Sequence, residues 1–432
     1  MAVDTERAQV AHLLRRAGFG STEAELDEYT ALGFQGAVER LLNYEQVDDS
    51  AVEERLASLQ LDPRNGEQAK YAWLVRMLYT RRPLQEKMTL FWHTHFATAL
   101  SKVRNPQLML QQIQLFRDDA LGNFEQLLQR VTRDPAMLNW LDNRQNRKGA
   151  PNENYAREVM ELFTVGIGAY TDADVKAAAR AFTGYTLARD GQFTFDAKQH
   201  DDGDKTFLGD TRNWDADDVL ATLVRHPATA RFLTSKLFRY FVYDNPSEGT
   251  IERLAGTFRS SGFDMRAVVR DILTGPEFLS PAAVRGQVKQ PVELVIGVLK
   301  TLNVQAVGPD LPQVTRRMGQ DLLNPPDVSG WKGGDGWISA TTLLERFNFA
   351  DRLLSNRAAD QPYFVDVSGQ LRGRNTSSPT DVVDYYLALL VDGEATPEAR
   401  RALVDYLGGH VAEEKVRGML HVALSLPTYQ LA

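Results

Sequence analysis

The sequence has no cysteine among its 432 residues. This absence excludes disulfide bonds, thiolate catalysis, and zinc or iron–sulfur sites with cysteine ligands. Any bound metal ion would have to use histidine, aspartate or glutamate ligands. A chain without thiols suits both a reducing cytosol and export of an already folded protein, so the missing cysteines leave the compartment open.

Long basic runs and long apolar runs are also missing. The formal net charge is −8, and no lysine- or arginine-rich run would attract a phosphate backbone or an anionic membrane surface. No apolar run is long enough to span a bilayer. The N-terminal residues lack the basic and apolar regions of a signal peptide. As it stands, the sequence predicts a soluble, cytoplasmic protein that binds no nucleic acid and has no membrane span.

Several common catalytic signatures are absent as well. The serines lie in no G-x-S-x-G turn, and neither a phosphate-binding G-x-x-x-x-G-K-[ST] loop nor a G-x-G-x-x-G dinucleotide fingerprint occurs. Readings as a serine hydrolase, a P-loop protein or a dinucleotide-binding enzyme therefore lack support.

Helical periodicity dominates the sequence, and 43% hydrophobic content is sufficient for a substantial core. We expect a mainly α fold, a compact multi-helix single unit of about seventeen helices. A small β-hairpin insertion is expected near residues 183–209, where alternating residues flank Asp190-Gly191. The polar stretch 369–378 suggests a main helical domain over 1–368 that contains the candidate site, with a C-terminal helical subdomain over 369–432 packed on it.

Two histidines lie on a helix predicted over residues 83–103. His95 shares a face with apolar residues such as Trp92 and Phe96, so it should be buried. His93 is two positions away, about 200° around an unbroken helix, and cannot bind the same ion. Two readings of His95 stay open: a metal ligand, or a core imidazole with ordinary hydrogen bonds.

A second candidate helix has the sequence NENYAREVMELF, residues 152–163. Asn154, Arg157, Glu158 and Glu161 fall in one polar sector, while Tyr155 and its apolar neighbours fall opposite. The polar sector is suited to a metal or a substrate. Charges with this spacing also form ordinary surface ion pairs, which contribute only a few tenths of a kcal/mol.

A third signal follows the predicted hairpin, where QHDDGDK places His200, Asp201 and Lys205 around Gly203. Such a loop can present oxygen and imidazole ligands to a cation, or it can be a solvated acidic turn. The segment NPPDVSGWKGGDGW, 324–337, adds Trp331 and Trp337. Its indoles are suited either to stacking on a sugar or an aromatic group or to filling space between helices.

Six ordered segments resemble the bacterial DUF1800 family: AHLLRRAGFG (11–20), FWHTHF (91–96), NENYAREVMELFTVG (152–166), QHDDGDKTFLG (199–209), KQPVELVIGVLKTL (289–302) and MGQDLLNPPDVSGWKGGDGWISATTLLERFNFA (318–350). The resemblance covers nearly the whole chain, and it favours His200, Asp201 and Lys205 as site residues. The family has no assigned function. Its usual gene setting implies a companion of exported sulfatase-like proteins, which leaves export with a partner open.

We therefore expect one polar pocket built from three segments, with His95, Glu158 or Glu161, and His200 within ~10 Å of one another. As an enzyme, hydrolytic or oxidative, the protein would hold a divalent metal of unknown identity through metal ligands His95, Glu158, His200 and Asp201. The catalytic groups would then be Asn154, Arg157, Glu161 and Lys205. The alternative is a non-catalytic binding or escort partner of an exported sulfatase-like protein. A small-molecule or glycan ligand suits either function.

Overall fold

The computed structural model describes residues 3–356, 358–374, 376, 378–409 and 411–432. Across these residues the structure is mainly α, with two small antiparallel hairpins, which confirms the predicted fold class. The first ten α-helices are α1 (Glu6–Arg16), α2 (Glu23–Thr30), α3 (Gly33–Leu42), α4 (Ser50–Ser58), α5 (Gly66–Tyr79), α6 (Pro83–His95), α7 (Leu100–Val103), α8 (Pro106–Asp118), α9 (Phe124–Thr132) and α10 (Pro135–Trp140).

Thirteen further α-helices follow. They are α11 (Asn154–Glu158), α12 (Asp172–Ala181), α13 (Ala216–Arg225), α14 (Pro227–Phe241), α15 (Glu248–Ser260), α16 (Met265–Thr274), α17 (Pro291–Thr301), α18 (Leu311–Arg317), α19 (Ala340–Ser355), α20 (Val367–Leu371), α21 (Pro379–Val391), α22 (Pro397–Leu407) and α23 (Glu413–Ser425). The described residues thus form more helices than the sequence predicted. The additional ones are short, and short helices give a weak periodic signal because packing rather than propensity stabilises them.

The helix predicted over 83–103 is wrong in its C-terminal part. Helix α6 ends at His95, Phe96 and Ala99 leave the helical conformation, and α7 begins at Leu100. The backbone N–H of Leu100 donates to the carbonyl of Leu323 at 2.8 Å instead of to its own helix. A tertiary hydrogen bond therefore replaces the helical one at this point, and no local pattern reveals it.

The NENYARE segment begins as α11 and continues as a π-helix over Val159–Phe163. Tyr155 and Phe163 are buried, as the helical phases predicted. A π-helix has i→i+5 hydrogen bonds, which widens the turn. Phe163 is its last residue, so the Phe163 carbonyl has no donor within the helix.

The predicted hairpin at Asp190-Gly191 is confirmed by strands β1 (Tyr185–Leu187) and β2 (Phe193–Phe195). A second hairpin joins β3 (Lys205–Phe207) to β4 (Asp210–Arg212). Its two turn residues, Leu208 and Gly209, have φ of 48° and 85°, as a type I′ turn requires. The backbone N–H of Leu208 donates to Asp174 Oδ1 at 2.7 Å and so holds a leucine where glycine or asparagine is usual.

Five short 3₁₀ helices complete the described elements: Tyr44–Gln46, Asn143–Gln145, Ala197–Gln199, Gly334–Trp337 and Pro427–Gln430. One continuous hydrophobic core extends from Val10 in α1 to Tyr429 near the end of the chain. Among the described residues, no helix has both the length and the apolar character needed to cross a membrane.

The C-terminal helices pack on one another and on the rest of the fold. Helix α23 contacts α19, α21 and α22, and α21 also contacts α17. The boundary predicted between residues 368 and 369 falls inside α20. In the polar stretch 369–378, residues 375 and 377 lie outside the described residues. The two-domain division stays a prediction.

Candidate functional site

A cavity of about 250 Å³ lies where the C-terminal ends of α6 and α14 meet the start of α17 and the loop 330–337. Its volume is slightly below the range of ~300–1,000 Å³ typical of drug-sized ligand pockets. Four aromatic side chains form much of its wall: Phe91, Tyr240, Trp331 and Trp337. The cavity therefore has room and apolar surface for one small molecule.

His95 lines this cavity and is 2% exposed, which confirms that it is buried. Its ring stacks on Phe91, with centroids 5.9 Å apart, and meets Trp92 edge-on. His93 has different neighbours, since its ring contacts Trp73 and Trp331. The prediction that the two histidines occupy different faces of an unbroken helix is confirmed.

The hydrogen bonding of His95 fixes its tautomer. Nε2 lies 3.1 Å from the carbonyl oxygen of Phe163, and because a carbonyl only accepts, Nε2 carries the proton. Nδ1 then has a lone pair, and it is buried without a partner among the described residues. Burial, together with nearby Lys236, holds the pKa of His95 well below its usual value. His95 is therefore a neutral imidazole with one free basic nitrogen.

Lys236 brings an ammonium group into the same cavity. It is one helical turn from the end of α14 and lies over the Phe232 ring, with Nζ 5.1 Å from the centroid. Burial, with Arg239 nearby, lowers the pKa of Lys236 to about 8. Within the described part of the chain, no carboxylate or hydrogen-bond acceptor contacts its side chain. Lys236 is partly buried, and a ligand anion would offset the cost of its desolvated, unpaired charge.

Of the other charged residues that line the cavity, only Glu293 has an ion-pair partner among the described residues. The Arg239 and Lys332 side chains also line the cavity and have no acceptor among the described residues, but both are exposed to solvent. Of the two acidic lining residues, Glu293 is bound by the buried ammonium of Lys87, whereas Asp244 is exposed and unpaired within the described structure. Three free cations thus face one free carboxylate, in a chain whose net charge is −8.

The loop 330–337 closes one side of the cavity, and Gly330 fixes its position. Gly330 has a φ of +80°, and a Cβ atom there would lie 2.4 Å from the backbone oxygen of Thr94. Only glycine permits this close approach to the end of α6. Trp337, at the far end of the loop, is 4% exposed, and its indole Nε1 is buried without a partner.

The NENYARE helix contributes none of the side chains that line this cavity. Asn154 is exposed, and Arg157 forms ion pairs with Glu153 at 3.3 Å and with Asp172 at 3.2 Å. Tyr170 donates to Glu161 at 3.0 Å.

Glu158 is half-buried, and burial and the charge of Glu161 raise its pKa. The helix instead reaches the cavity indirectly, through the backbone of Phe163 and its bond to His95.

The side chains of the QHDDGDK loop bind partners close by. His200 is buried, and its Nδ1 lies 2.8 Å from the carbonyl of Thr183. Lys205 donates to Asn213 and to the carbonyl of Trp214, at 3.0 and 2.8 Å.

The carboxylate of Asp201 takes two hydrogen bonds from Arg180, which lower its pKa to about 2. The charges of this loop therefore anchor it to α12 and to the neighbouring hairpins.

The structure does not gather the predicted metal ligands into one group. His95 contacts Phe91 and Phe163, whereas His200 contacts Thr183 and Phe195. In the described ranges, no three histidine, aspartate or glutamate side chains are arranged to hold a metal ion. Of the eight predicted site residues, only His95 lines the cavity.

Sequence reasoning missed Lys236, Arg239 and Lys332. The first two lie three residues apart on α14, with Tyr240 beside Arg239, so all three share one helical face. That spacing was visible in the segment KLFRY, 236–240. Cations near a helix C-terminus are common, so nothing local distinguished these two from ordinary surface residues.

Comparison with known proteins gives one match. The family model described as a protein of unknown function (DUF1800) matches residues 12–431, nearly the whole chain. No curated protein and no solved structure matches it.

Proposed function

We propose, given that this chain belongs to the DUF1800 family of proteins of unknown function, that it binds a small organic anion in the cavity beside His95. The observation that carries the proposal is the unpaired set Lys236, Arg239 and Lys332 around one cavity. Arg239 and Lys332 are exposed to solvent, so the main support comes from Lys236, which is partly buried and, unlike Lys87 with Glu293, has no carboxylate partner among the described residues. A ligand carboxylate, sulfate or phosphate would complete the pairing here.

His95 gives the bound ligand a chemical partner. His95 lines the cavity together with the cations, and its neutral Nδ1 is buried without a partner among the described residues. A base that takes a proton while nearby cations stabilise the resulting negative charge is the arrangement used for proton abstraction. We propose His95 as the general base if the protein is an enzyme, with Lys236 as the group that stabilises developing charge.

The experiment is calorimetric titration of the purified protein with a panel of small carboxylates, sulfates and phosphates. Lys236→Met and Arg239→Gln should each reduce the affinity about tenfold or more, as expected when a charge-assisted hydrogen bond is lost. Lys176→Met and Arg401→Gln are the matched controls, because both residues are exposed and lie outside the cavity. Equal affinities in all four variants would contradict the proposal.

The divalent metal and the sulfatase-like partner remain separate proposals. A free imidazole nitrogen on His95 supports the first, and the family resemblance supports the second. Elemental analysis of protein purified without chelators tests the metal, with stoichiometric zinc, iron or manganese as the supporting result. Co-purification with a co-expressed sulfatase-like protein tests the escort role.

A further inference from the structure

Lys236 differs from the other lysines that are partly or fully buried in the described structure. Five of those lysines have a carboxylate or backbone carbonyl as a partner: Lys70, Lys87, Lys205, Lys289 and Lys300. Lys236 is partly buried, and no described residue accepts from its side chain. Buried polar groups that serve only the fold nearly always have a partner, so Lys236 is the exception that calls for a function.

The surroundings of Lys236 disfavour its charged form. Its Nζ lies 5.1 Å from the centre of the Phe232 ring, and the backbone at Gly166 packs against the same ring, since a Cβ there would lie 3.1 Å from it. Arg239, three residues further along α14, adds a second positive charge. Burial and Arg239 lower the pKa of Lys236 to about 8. An appreciable fraction of the side chain is therefore a neutral amine near neutral pH.

A neutral lysine amine is a nucleophile that reacts with carbonyl compounds. Lysines that form imines are typically desolvated by apolar surface or placed next to another cation, and Lys236 has both features. Its amine also lines a cavity of about 250 Å³, so a small molecule has room beside it. The carbonyl group of a ligand could therefore meet an amine that no described residue occupies.

The charge and size of the cavity narrow the class of carbonyl compound. Arg239 lines the same cavity, and residues three apart on a helix have Cβ atoms about 5–6 Å from each other. A carboxylate a few bonds from a carbonyl can thus pair with Arg239 while the carbonyl carbon is at Lys236. The cavity volume limits the compound to a few carbon atoms.

We infer that Lys236 forms an imine with a small oxo acid, a molecule that carries an aldehyde or ketone carbonyl and a carboxylate. This inference rests on the proposed anion-binding function and names its substrate class. A protonated imine keeps the positive charge of Lys236 in the cavity, so the covalent step and the stabilisation of negative charge are compatible.

The step needs no oxidant and no other reactant. The lone pair of the neutral Nζ forms a bond to the carbonyl carbon, and the electron pair of the C=O π bond moves to oxygen. The oxygen then leaves as water with the two protons of the amine, and the nitrogen lone pair forms the C=N bond. Since Lys236 is partly exposed, these protons can pass through solvent.

The test traps the imine in the full wild-type chain. Pyruvate or levulinate is added with sodium cyanoborohydride, which reduces an imine to a stable secondary amine, and peptide mass spectrometry locates the adduct. Lys176 is the internal control, because it is exposed and lies outside the cavity. For at least one oxo acid, Lys236 should react about tenfold or more faster than Lys176. Equal rates at the two lysines would overturn the inference.

A matched ketone tests the need for the carboxylate. Levulinate and 2-pentanone are methyl ketones with the same number of carbon atoms, and only levulinate carries a carboxylate. The ratio of adduct at Lys236 to adduct at Lys176 should be about tenfold higher for levulinate, because only its carboxylate can pair with Arg239. Equal ratios for the two ketones would overturn the oxo acid class.

Lactate separates failure of this inference from failure of anion binding. It resembles pyruvate but has a hydroxyl in place of the carbonyl, so it can bind without forming an imine. Calorimetric binding of lactate without any oxo acid adduct at Lys236 would overturn the imine and leave anion binding intact. No binding of lactate or pyruvate, together with no adduct, would overturn both.

Lys236→Arg tests whether one amine accounts for the fast reaction. Arginine keeps the positive charge and has no nucleophilic amine at neutral pH, so the fast adduct should disappear from the whole chain. Lys176→Arg is the matched control and should retain it. Circular dichroism checks that both variants are folded. A fast adduct that persists in folded Lys236→Arg would assign the reaction to another lysine and overturn the inference.

Discussion

His95 Nε2 donates to the carbonyl oxygen of Phe163 at 3.1 Å and so connects the last residue of α6 to the last residue of the π-helix. Both atoms are at helix ends, where the backbone supplies no partner to the carbonyl. The same bond forces the free lone pair onto Nδ1, which is buried without a partner among the described residues. A structural contact therefore determines the protonation of the candidate base.

Replacing His95 by phenylalanine should lower the free energy of unfolding by about 1–3 kcal/mol, because the Phe163 carbonyl is left buried without a donor. The measurement is urea denaturation followed by circular dichroism. His421→Asn is the control and should change the free energy of unfolding by less than about 0.5 kcal/mol, since only the backbone carbonyl of His421, and not its side chain, takes part in a hydrogen bond with the described residues. An unchanged midpoint for His95→Phe would show that the bond contributes nothing to stability.

Lys236→Met should stabilise the protein while it weakens anion binding. Methionine keeps the apolar part of the side chain and removes an unpaired, desolvated charge, so the free energy of unfolding should rise by about 0.5–2 kcal/mol. Lys176→Met, at an exposed position of α12, should have almost no effect. Thermal denaturation checks the stability and calorimetry checks the binding. A destabilised Lys236→Met would mean that the ammonium has a favourable structural contact.

Anion affinity should fall as the pH rises through about 8, the pKa of Lys236 in the free protein. Below that pH the ammonium is charged and attracts the ligand; above it the amine is neutral, and the attraction is lost. Calorimetry from pH 6 to pH 10 checks this, and Lys236→Met should show a flatter profile. The charged and titratable groups that line the cavity with Lys236 are His95, Arg239, Tyr240, Asp244, Glu293 and Lys332.

The lowered pKa of Lys236 also predicts how the stability of the fold depends on pH. The pKa of Lys236 is lowered from 10.5 in the unfolded chain to about 8 in the folded one, so between these values the unfolded state binds more protons. The Lys236 contribution to the free energy of unfolding should therefore rise with pH across this window. The difference between wild type and Lys236→Met should shrink from pH 7 to pH 10, and a constant difference would contradict the assignment.

Glu158→Gln should stabilise the fold slightly and leave anion binding unchanged. Burial and Glu161 raise the pKa of Glu158, so its charge opposes folding at any pH above that raised value, and the amide removes this penalty. Glu153→Gln, at the residue that precedes α11, is the matched control. It breaks the surface ion pair with Arg157 and should lower the free energy of unfolding by about 0.3–0.5 kcal/mol. Weaker ligand binding in Glu158→Gln would contradict this prediction and would indicate that the Glu158 carboxylate takes part in the binding site.

Gly330→Ala should lower the free energy of unfolding by more than about 2 kcal/mol. Alanine at a φ of +80° is strained, and its Cβ would clash with the Thr94 backbone. Gly336→Ala in the same loop is the control, since its Cβ would make an ordinary contact with Lys332 at 3.6 Å. Denaturation midpoints give the stability, and tryptophan fluorescence reports whether Trp331 and Trp337 move. Equal costs for both glycines would contradict the role of Gly330 as the fixed point of the loop.

The sequence was informative where a property depends on one helix or one turn. Burial of His95 followed from its apolar stripe, the separation of His93 followed from helical geometry, and Asp190-Gly191 predicted the first hairpin. The two tryptophans of the 324–337 segment were also identified, although their place beside His95 was not.

The cavity itself could not be predicted, because it depends on which helix ends meet. Lys236 and Arg239 look like ordinary helix residues until α14 is placed against α6. In the QHDDGDK loop the sequence shows charges that resemble a ligand set, but it does not show that Arg180 from α12 donates two hydrogen bonds to Asp201. In both the cavity and the QHDDGDK loop, the surroundings of the charged side chains depend on residues that are distant in the sequence.

The walls of the cavity come from parts of the chain that are far apart, from Phe91 to Trp337. Contacts between such distant segments form late in folding, because closing long loops costs entropy before the contacts stabilise them. A partly folded chain can have most of its helices and still lack a complete cavity. Ligand binding during refolding should therefore recover more slowly than helical circular dichroism, and would report the fraction of fully folded molecules.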